Sequence, residues 1–304
     1  MPQLTLAAHD DYLITFHNHA TDPDGPLVIT FGGQGSGISA GGFGTGWCRP
    51  RGLDSIYVAQ RKSTQYQGLG LEAFVDAISA VIAGRDVVCY GASLGGYAAL
   101  YFGGSIDARI IAAAPMLPAY PALERTPHMI PIQHLPVPKA PRSSRSPIII
   151  YDPQQASDSL IVEDMVRPTY PDARYLHLDY AGHTILHYLA KAGVISQLVL
   201  SMIVDDEVLD LEFPTETSPI WLFNKGLSLR RSAPAEAVKH LERSLAIEPA
   251  IHIQANLLNL LVRLKDIPSA QRLVDRALAS DDPRMKIAPA ILDRAKAAGV
   301  VVAA

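Results

Sequence analysis

A buried strand that turns sharply into an alanine-rich helix is the feature that most constrains the fold of this chain. Residues 86–100 read Asp-Val-Val-Cys-Tyr-Gly-Ala-Ser-Leu-Gly-Gly-Tyr-Ala-Ala-Leu, and the pentapeptide Gly91–Gly95 joins the two elements. Small residues two before and two after Ser93 let the backbone pass close to itself, and such a turn lifts a serine oxygen out of a sheet. The pattern predicts a helix packed on a sheet, with Ser93 as a nucleophile.

Strand-like and helix-like segments alternate on both sides of this turn. Apolar runs predict strands at residues 4–8, 12–16, 27–31, 55–60, 87–90, 109–113, 147–151 and 174–178. Helical periodicity predicts helices at residues 69–83, 94–102, 159–167 and 185–206. This alternation is typical of a mostly parallel sheet with helices on both faces. We therefore predict an α/β domain over residues 1–210.

Two regions depart from the alternation. Residues 115–147 hold nine prolines, a density that excludes regular helices and central strands. After an acidic, Pro- and Thr-rich stretch at 205–219, the chain is helical in period to residue 304. We therefore predict a proline-rich insert within the first domain and a separate, all-helical region over residues 211–304.

The helical region resembles the tetratricopeptide repeat, a helix–turn–helix unit of about 34 residues. The resemblance lies in the spacing of Trp221, Ala237, Leu241 and Pro249, with a weaker second copy over 257–277. Gly226 stands one position away from the glycine that the repeat expects. Since about three repeats are needed for a stable solenoid, we expect helical hairpins more than a peptide-binding groove.

Composition and charge narrow the classes of function. The chain has 26 Lys and Arg against 30 Asp and Glu, so it has no basic surplus for binding nucleic acid. No run of about 18 uncharged apolar residues predicts a membrane span, and the first residues do not resemble a signal peptide. We expect a cytoplasmic protein. Its two cysteines and scattered histidines lack ligand spacing, so we predict neither a metal nor a cofactor.

A serine nucleophile needs a base, and the base needs an acid that fixes its tautomer. His183 follows the last predicted strand in the sequence Tyr-Ala-Gly-His, and His187 in the next predicted helix is a rival base. Asp152 and Asp158 follow the strand that ends at residue 151. Each has an alternative role, because Asp152 could cap a turn and Asp158 could cap a helix. His183 is favoured because His187 lies within a helix.

The order Ser93, Asp158, His183 resembles that of an α/β-hydrolase of the serine-esterase kind. The resemblance covers residues 27–200 and includes the Gly-Gly-Tyr-Ala-Ala-Leu run that follows the turn. It implies Ser93 as nucleophile, His183 as base and Asp158 as acid, with Asp152 as the alternative acid. It also implies that the insert at 115–147 is a short lid, the alternative being a surface connection without a role.

A glycine-rich loop follows the third predicted strand, with eight glycines between Gly32 and Gly46. The run Phe-Gly-Gly-Gln-Gly at its start resembles the His-Gly-Gly-Gly oxyanion loop of the same family, with Phe in place of His. The role tolerates this change because backbone N–H groups stabilise the oxyanion. The resemblance implies donors at Leu94 and at Gly33 or Gln34. A phosphate cradle is disfavoured, because no Gly-Lys-Ser/Thr is present and no helix clearly begins in the loop.

Together these residues indicate a serine hydrolase that cleaves a small-molecule ester or thioester through an acyl-enzyme. The same residues could instead transfer the acyl group to a sugar or lipid hydroxyl. A different class of function is a catalytically silent hydrolase fold whose helical C-terminal region binds a protein partner. Fold analogy does not identify the substrate.

Overall fold

A mixed β-sheet organises the first part of the computed structural model, which describes residues 3–22 and 24–302. Its eight described strands are ordered β1-β2-β4-β3-β5-β6-β7-β8, antiparallel between β1, β2 and β4 and parallel from β4 to β8. They are β1 (Gln3–Ala8), β2 (Tyr12–His17), β3 (Leu27–Phe31), β4 (Ser55–Gln60), β5 (Val87–Ala92), β6 (Arg109–Ala113), β7 (Ile148–Tyr151) and β8 (Arg174–His177). The predicted α/β fold class, with a mostly parallel sheet flanked by helices, is confirmed.

The central strands are buried along their whole length, as their continuous apolar runs predict. Every residue of β3, β4, β6 and β7 is buried. Parallel strands covered by helices on both faces lack the polar alternation of a half-exposed sheet. By contrast, the edge strand β1 is largely exposed. The carboxyl ends of β3 and β5 therefore lie at one edge of a rigid core, and this edge holds the site described below.

Seven helices of the described chain accompany the sheet. They are α1 (Thr45–Cys48), α2 (Leu71–Ile82), α3 (Leu94–Gly103), α4 (Ala156–Ile161), α5 (Arg167–Thr169), α6 (Ile185–Lys191) and α7 (Ile195–Val204). Of these, α3 is buried at every residue and packs against β3, β5 and β6. Its small residues, such as Ala98 and Ala99, permit this close packing of a helix on a sheet.

One predicted helix differs from the structure. The helix predicted over 159–167 begins earlier, as α4, and is followed by a widened π-type turn at Val162–Val166. Pro168 lies just beyond this turn and has no N–H to continue a regular helix. The helices predicted over 185–206 are α6 and α7, which are separated at Gly193 with φ of 76°.

The proline-rich insert holds no α-helix or strand in the described structure. Its regular pieces are three short 3₁₀ turns, Pro121–Leu123, Thr126–His128 and Val137–Lys139. The insert is anchored at His134, which is buried and whose Nε2 lies 3.0 Å from the Leu69 carbonyl oxygen. The His134 ring also stacks on Tyr101, with 4.1 Å between ring centroids.

The chain divides into two units. The unit with the sheet comprises Met1–Leu178 and His183–Asp210, and the second comprises Asp179–Gly182 and Leu211–Ala304. The limits of the predicted domains at residues 1 and 304 lie outside the described residues. The short stretch Asp179–Gly182, which was predicted to belong to the first domain, therefore groups with the helical unit. Within that unit, Asn224 Nδ2 donates a hydrogen bond to the Tyr180 carbonyl oxygen at 3.0 Å.

The second unit is helical over its described length. Its helices are α8 (Pro219–Leu229), α9 (Pro234–Ile247), α10 (Ile251–Arg263), α11 (Ile267–Leu278) and α12 (Pro289–Ala297). Successive helices pack on one another from α8 to α11 through buried Leu and Ala side chains. At Gly226 of α8 an added Cβ would lie 2.9 Å from Cγ of Leu241 in α9, so a glycine lets these two helices approach closely.

Helix length and hydropathy bear on whether the chain could cross a membrane. In the described ranges no single helix is long and apolar enough to do so. The pair α6 and α7 reaches the required length and hydropathy only when the two are taken together, and they are bent by 116°.

Candidate active site

The turn between β5 and α3 holds Ser93 in an unusual backbone conformation. Ser93 has φ of 54° and ψ of −121°, values that L-residues rarely adopt. Its N–H donates to the Ala113 carbonyl oxygen at 2.9 Å, which fixes the turn against the neighbouring strand. At Gly91 an added Cβ would lie 2.0 Å from the Gly95 carbonyl oxygen, so only glycine fits there. Local sterics thus account for the sharp turn.

A continuous line of hydrogen bonds joins the three residues that the sequence favours. Ser93 Oγ lies 2.8 Å from His183 Nε2, and His183 Nδ1 lies 2.8 Å from Asp158 Oδ1. A carboxylate accepts, so His183 Nδ1 carries the proton and Nε2 accepts from the serine hydroxyl. The Asp158 side chain is fully buried, whereas the His183 side chain is 26% exposed. The imidazole therefore stands between a buried acid and a partly accessible serine.

The second carboxylate oxygen of Asp158 leaves His183 as the charge partner of this acid. Asp158 Oδ2 is buried and has no hydrogen-bond partner among the described residues. Burying a carboxylate is costly unless it is paired. Since Oδ1 contacts the imidazole, His183 is the basic group placed to compensate the Asp158 charge, and an imidazolium at this position would be stabilised by it.

The alternative acid and base lie elsewhere. Asp152 is buried, and its Oδ1 accepts a hydrogen bond from the Gln154 N–H at 2.8 Å, the turn-capping arrangement considered above. Asp158 is not a helix cap, because it lies inside α4 and the capping position is Gln155. His187 is exposed on α6, one turn after His183. The structure thus brings Asp158 and His183 to Ser93, and it gives Asp152 a local contact.

The predicted oxyanion residues lie on two segments. Gly33 and Gln34 are the second and third residues after β3, and Leu94, next to Ser93, is the first residue of α3, where N–H groups have no partner within the helix. The two segments approach closely, since an added Cβ at Gly95 would lie 2.5 Å from the Phe31 carbonyl oxygen. The chain at the end of β3 therefore lies close to the first turn of α3.

One expectation about the glycine loop is wrong. A helix does begin within it, the four-residue α1, whose capping residue Gly44 has φ of 81°. The positive φ explains why a glycine precedes this helix. The helix spans about one turn and carries no Gly-Lys-Ser/Thr, so the phosphate-cradle alternative gains nothing from it.

Sequence patterns did not reveal a set of polar side chains that contact the glycine loop. Gln60 Nε2 donates to the Gly33 carbonyl oxygen at 3.1 Å. Tyr66 Oη lies 3.0 Å from the carbonyl oxygens of both Gly32 and Val58. Gln60 and Tyr66 are each 1% exposed. The available signal was the density of glutamines at the end of β4 and just beyond it, where Gln60, Gln65 and Gln67 lie within eight residues.

Two mainly apolar cavities lie in the sheet unit. A cavity of about 330 Å³ is lined by Tyr97, by residues of the insert such as Leu117, and by Asp164 and Met165. Tyr97 lies in α3, four residues after Ser93. A second cavity of about 310 Å³ is lined by Trp47 and His187 among others.

The two cysteines do not compete with Ser93 as nucleophiles. Both Cys48 and Cys89 are fully buried. Burial raises the pKa of the Cys48 thiol to about 12, and it raises the pKa of the Cys89 thiol as well. Since the thiolate is the reactive form, both side chains are inert core residues at neutral pH.

Comparisons with known proteins returned similarity in structure only. No protein-family model matches the chain, and no curated protein matches its sequence. Among solved structures, the acylaminoacyl peptidase of Pyrococcus horikoshii is 9% identical with a TM-score of 0.48, over 69% of this chain and 42% of that one. The dienelactone hydrolase of Anabaena variabilis is 15% identical with a TM-score of 0.45, over 68% and 98% of the two chains. Est1E of Butyrivibrio proteoclasticus is 13% identical with a TM-score of 0.44, over 66% and 98%.

Proposed function

We propose that this chain is a serine hydrolase that cleaves an ester or thioester through an acyl-enzyme on Ser93. The observation that carries the proposal is the pair of 2.8 Å hydrogen bonds from Ser93 Oγ to His183 and from His183 to Asp158. A base in contact with the nucleophile, oriented in turn by a buried acid, is the arrangement that activates a serine.

The reaction follows from the tautomer of His183. Its Nδ1–H is committed to Asp158, so Nε2 takes the Ser93 proton as Oγ attacks the acyl carbon. The tetrahedral intermediate collapses when His183 returns that proton to the departing alcohol or thiol, leaving the acyl group on Oγ. Water then attacks with the same base, and the acid product leaves.

Backbone amides would stabilise the negative oxygen of the tetrahedral intermediate. The Leu94 N–H is one donor, and the other is the N–H of Gly33 or Gln34. Donors of this kind act in a partly desolvated site, and removing one typically costs about 100- to 1,000-fold in kcat. The absence of a side chain at Gly33 allows a substrate to approach the loop backbone.

The substrate we propose is a small-molecule acyl ester. In this proposal an apolar acyl group occupies the cavity of about 330 Å³ that Tyr97 of α3 and mostly carbon atoms of the insert line. In this proposal the insert at 115–147 acts as a short lid over the acyl group.

Covalent labelling tests the proposal. We expect a fluorophosphonate probe to label the full chain at Ser93, and Ser93→Ala to lose both labelling and hydrolysis of p-nitrophenyl acetate. Ser105→Ala is a matched control, because its hydroxyl donates only to the Phe102 carbonyl oxygen at 2.7 Å. Full hydrolysis by Ser93→Ala, or an unlabelled wild-type protein, would contradict the proposal, and the latter would favour the silent fold.

Product analysis in the presence of an acceptor alcohol separates hydrolysis from acyl transfer. Both reactions share the acyl-enzyme, so both predict labelling of Ser93. Adding a sugar or a long-chain alcohol distinguishes them by product analysis. An acyltransferase would form the acylated acceptor at the expense of the free acid, whereas a hydrolase forms the acid at an unchanged rate.

A further inference from the structure

A strained segment that begins at the last residue of β4 makes polar contacts to the glycine loop. This glutamine segment, residues 60–67, contains Ser63, Gln65 and Tyr66 with φ of 69°, 51° and 64°. Non-glycine residues adopt such values at a cost, and they persist where their surroundings hold them in place. Here the holding groups are buried polar side chains, and the first of them is Gln60.

The Gln60 side-chain amide bridges the glutamine segment and the glycine loop. Its Oε1 accepts from the Tyr66 N–H at 3.0 Å, and its Nε2 donates to the Gly33 carbonyl oxygen at 3.1 Å. A backbone N–H can only donate and a carbonyl can only accept, so both contacts require this one orientation of the amide. With 1% of its surface exposed, Gln60 has little water to compete for either bond.

The Gly33 carbonyl is also held from within its own loop. Ser36 donates to the same oxygen twice, from Oγ at 2.7 Å and from its N–H at 3.1 Å. The Gly33 carbonyl and the Gln34 N–H belong to one planar trans peptide unit, so they point in opposite directions. The groups that hold the carbonyl therefore determine where the Gln34 N–H points. Three donors on one carbonyl also polarise that N–H.

Packing does not fix this part of the loop. A Cβ added at Gly33 or Gly35 would meet no described atom within 4 Å. The direction of the peptide between Gly33 and Gln34 consequently depends on the hydrogen bonds that it makes. Among the described residues outside the glycine loop, Gln60 is the one whose side chain donates a hydrogen bond to the Gly33 carbonyl oxygen.

We propose that Gln60 is a positioning residue of the oxyanion hole, which orients the Gln34 N–H by holding the Gly33 carbonyl. The inference rests on the proposed function, since it requires an oxyanion at this loop. The proposal also makes the Gln34 N–H, and not the Gly33 N–H, the loop donor to the oxyanion. Gln60 does not touch the substrate, and its effect is confined to the transition state, where the donor matters.

Two substitutions test the role in the full chain, with p-nitrophenyl acetate as the substrate. Gln60→Glu keeps an acceptor for the Tyr66 N–H and replaces the donor with a carboxylate oxygen. We expect kcat at about pH 8 to fall about 10- to 100-fold, with KM within about twofold. Ser36→Ala removes a second donor from the same carbonyl in a less buried place, and we expect a smaller fall in kcat of about 3- to 10-fold.

The pH profile distinguishes positioning from a merely structural effect. In the Gln60→Glu variant, protonation of the introduced carboxylate restores a donor for the Gly33 carbonyl. The kcat of this variant relative to wild type should therefore rise as the pH is lowered. Tyr170→Phe is the control, since it removes a buried hydroxyl that contacts the Ser143 N–H at 3.2 Å, away from the glycine loop. We expect its kcat to stay within about twofold of wild type.

The outcomes separate this inference from the proposed function. If the wild-type protein labels at Ser93 and both variants keep kcat within twofold, the inference alone is overturned. A pH-independent ratio for Gln60→Glu overturns it as well. If Gln60→Glu does not fold, a Ser36→Ala kcat equal to wild type overturns it, and a selective loss of kcat supports it. A wild-type protein that the probe does not label overturns the proposed function itself.

Discussion

At the residue scale, two buried aspartates near one strand have different partners. Asp158 contacts His183 Nδ1, whereas Asp152 Oδ1 accepts the Gln154 N–H. Both side chains are buried, Asp152 at 2% exposure and Asp158 at 0%. Burial therefore does not distinguish them, and the direction of the side chain does. The proposed function makes Asp158 the residue that fixes the tautomer of the base.

Asp158→Asn and Asp152→Asn test this distinction as a matched pair. An asparagine at 158 can offer an NH₂ group to His183, which favours the wrong tautomer, so we expect kcat to fall about 1,000- to 10,000-fold. An asparagine at 152 keeps an oxygen for the Gln154 N–H, and we expect kcat within about threefold of wild type. Steady-state hydrolysis of p-nitrophenyl acetate measures both, and the reverse ranking would assign the acid to Asp152.

The strained backbone of Ser93 predicts that glycine at this position gives a more stable protein than alanine does. With φ of 54°, Ser93 occupies a region that glycine adopts freely and alanine does not. We expect Ser93→Gly to be more stable to unfolding than Ser93→Ala by about 1 kcal/mol, while both are inactive. Denaturation in urea measures the difference. Equal stability of the two variants would show that the surroundings already relieve the strain.

At the scale of elements, close helix contacts depend on single small residues. In α8, Gly226 is buried, and an added Cβ would lie 2.9 Å from Leu241 Cγ and 3.2 Å from the Ala237 carbonyl oxygen. The repeat-like spacing suggested a glycine one position away. The register of α8 against α9 explains why the glycine stands where it does, and the tetratricopeptide resemblance itself stays a prediction.

Gly226→Ala should therefore destabilise the helical unit. Overpacking of this kind costs about 1–3 kcal/mol, which exceeds the gain of roughly 1 kcal/mol in helix propensity when alanine replaces glycine. Urea unfolding followed by the helical circular dichroism signal measures the net loss. Ser228→Ala, a change outside the buried face of the same helix, is the control and should not lower stability. A Gly226→Ala protein as stable as wild type would show that α8 and α9 can move apart without cost.

At the scale of the whole molecule, the free energy of unfolding depends on pH through His134, a buried residue of the insert. His134 Nε2 donates to the Leu69 carbonyl oxygen, and Nδ1 accepts from the Tyr97 hydroxyl, so the buried ring is neutral. Burial lowers the pKa of His134 from 6.5 to about 4. Between these values the unfolded chain binds a proton that the folded chain does not. The stabilisation is thus complete above pH 6.5 and is lost progressively as the pH falls towards about 4.

His134→Gln should flatten this dependence. We expect the free energy of unfolding of the wild-type protein to fall by up to about 1.4 kcal/mol per pH unit in that interval from this residue alone. The variant is less stable at neutral pH but has the shallower slope, measured by urea unfolding at several pH values. His128→Gln, an exposed change in the same insert, should keep the wild-type slope. Equal slopes for His134→Gln and wild type would contradict the prediction.

The amino-acid sequence by itself determined the order of the elements and the turn at Ser93. The bounds predicted for β3, β4 and β6 are those observed. In β3 the reason is direct, because an apolar run between Pro26 and Gly32 marks a buried strand. The helix predicted at 159–167 was displaced, because periodicity does not register the turn before Pro168. Local sterics likewise predicted the elbow, since only glycine fits at Gly91.

Only the tertiary structure decided which distant groups meet. His183 lies 90 residues from Ser93 and 25 from Asp158, and no periodic pattern encodes such contacts. The contact of Asp158 rather than Asp152 with His183, and the contact of Gln60 with the Gly33 carbonyl, follow from side-chain directions that the sheet and helices impose. A sequence records which residues are buried and where the chain turns. The hydrogen bonds of a site depend on distances of about 3 Å, which the packed fold alone supplies.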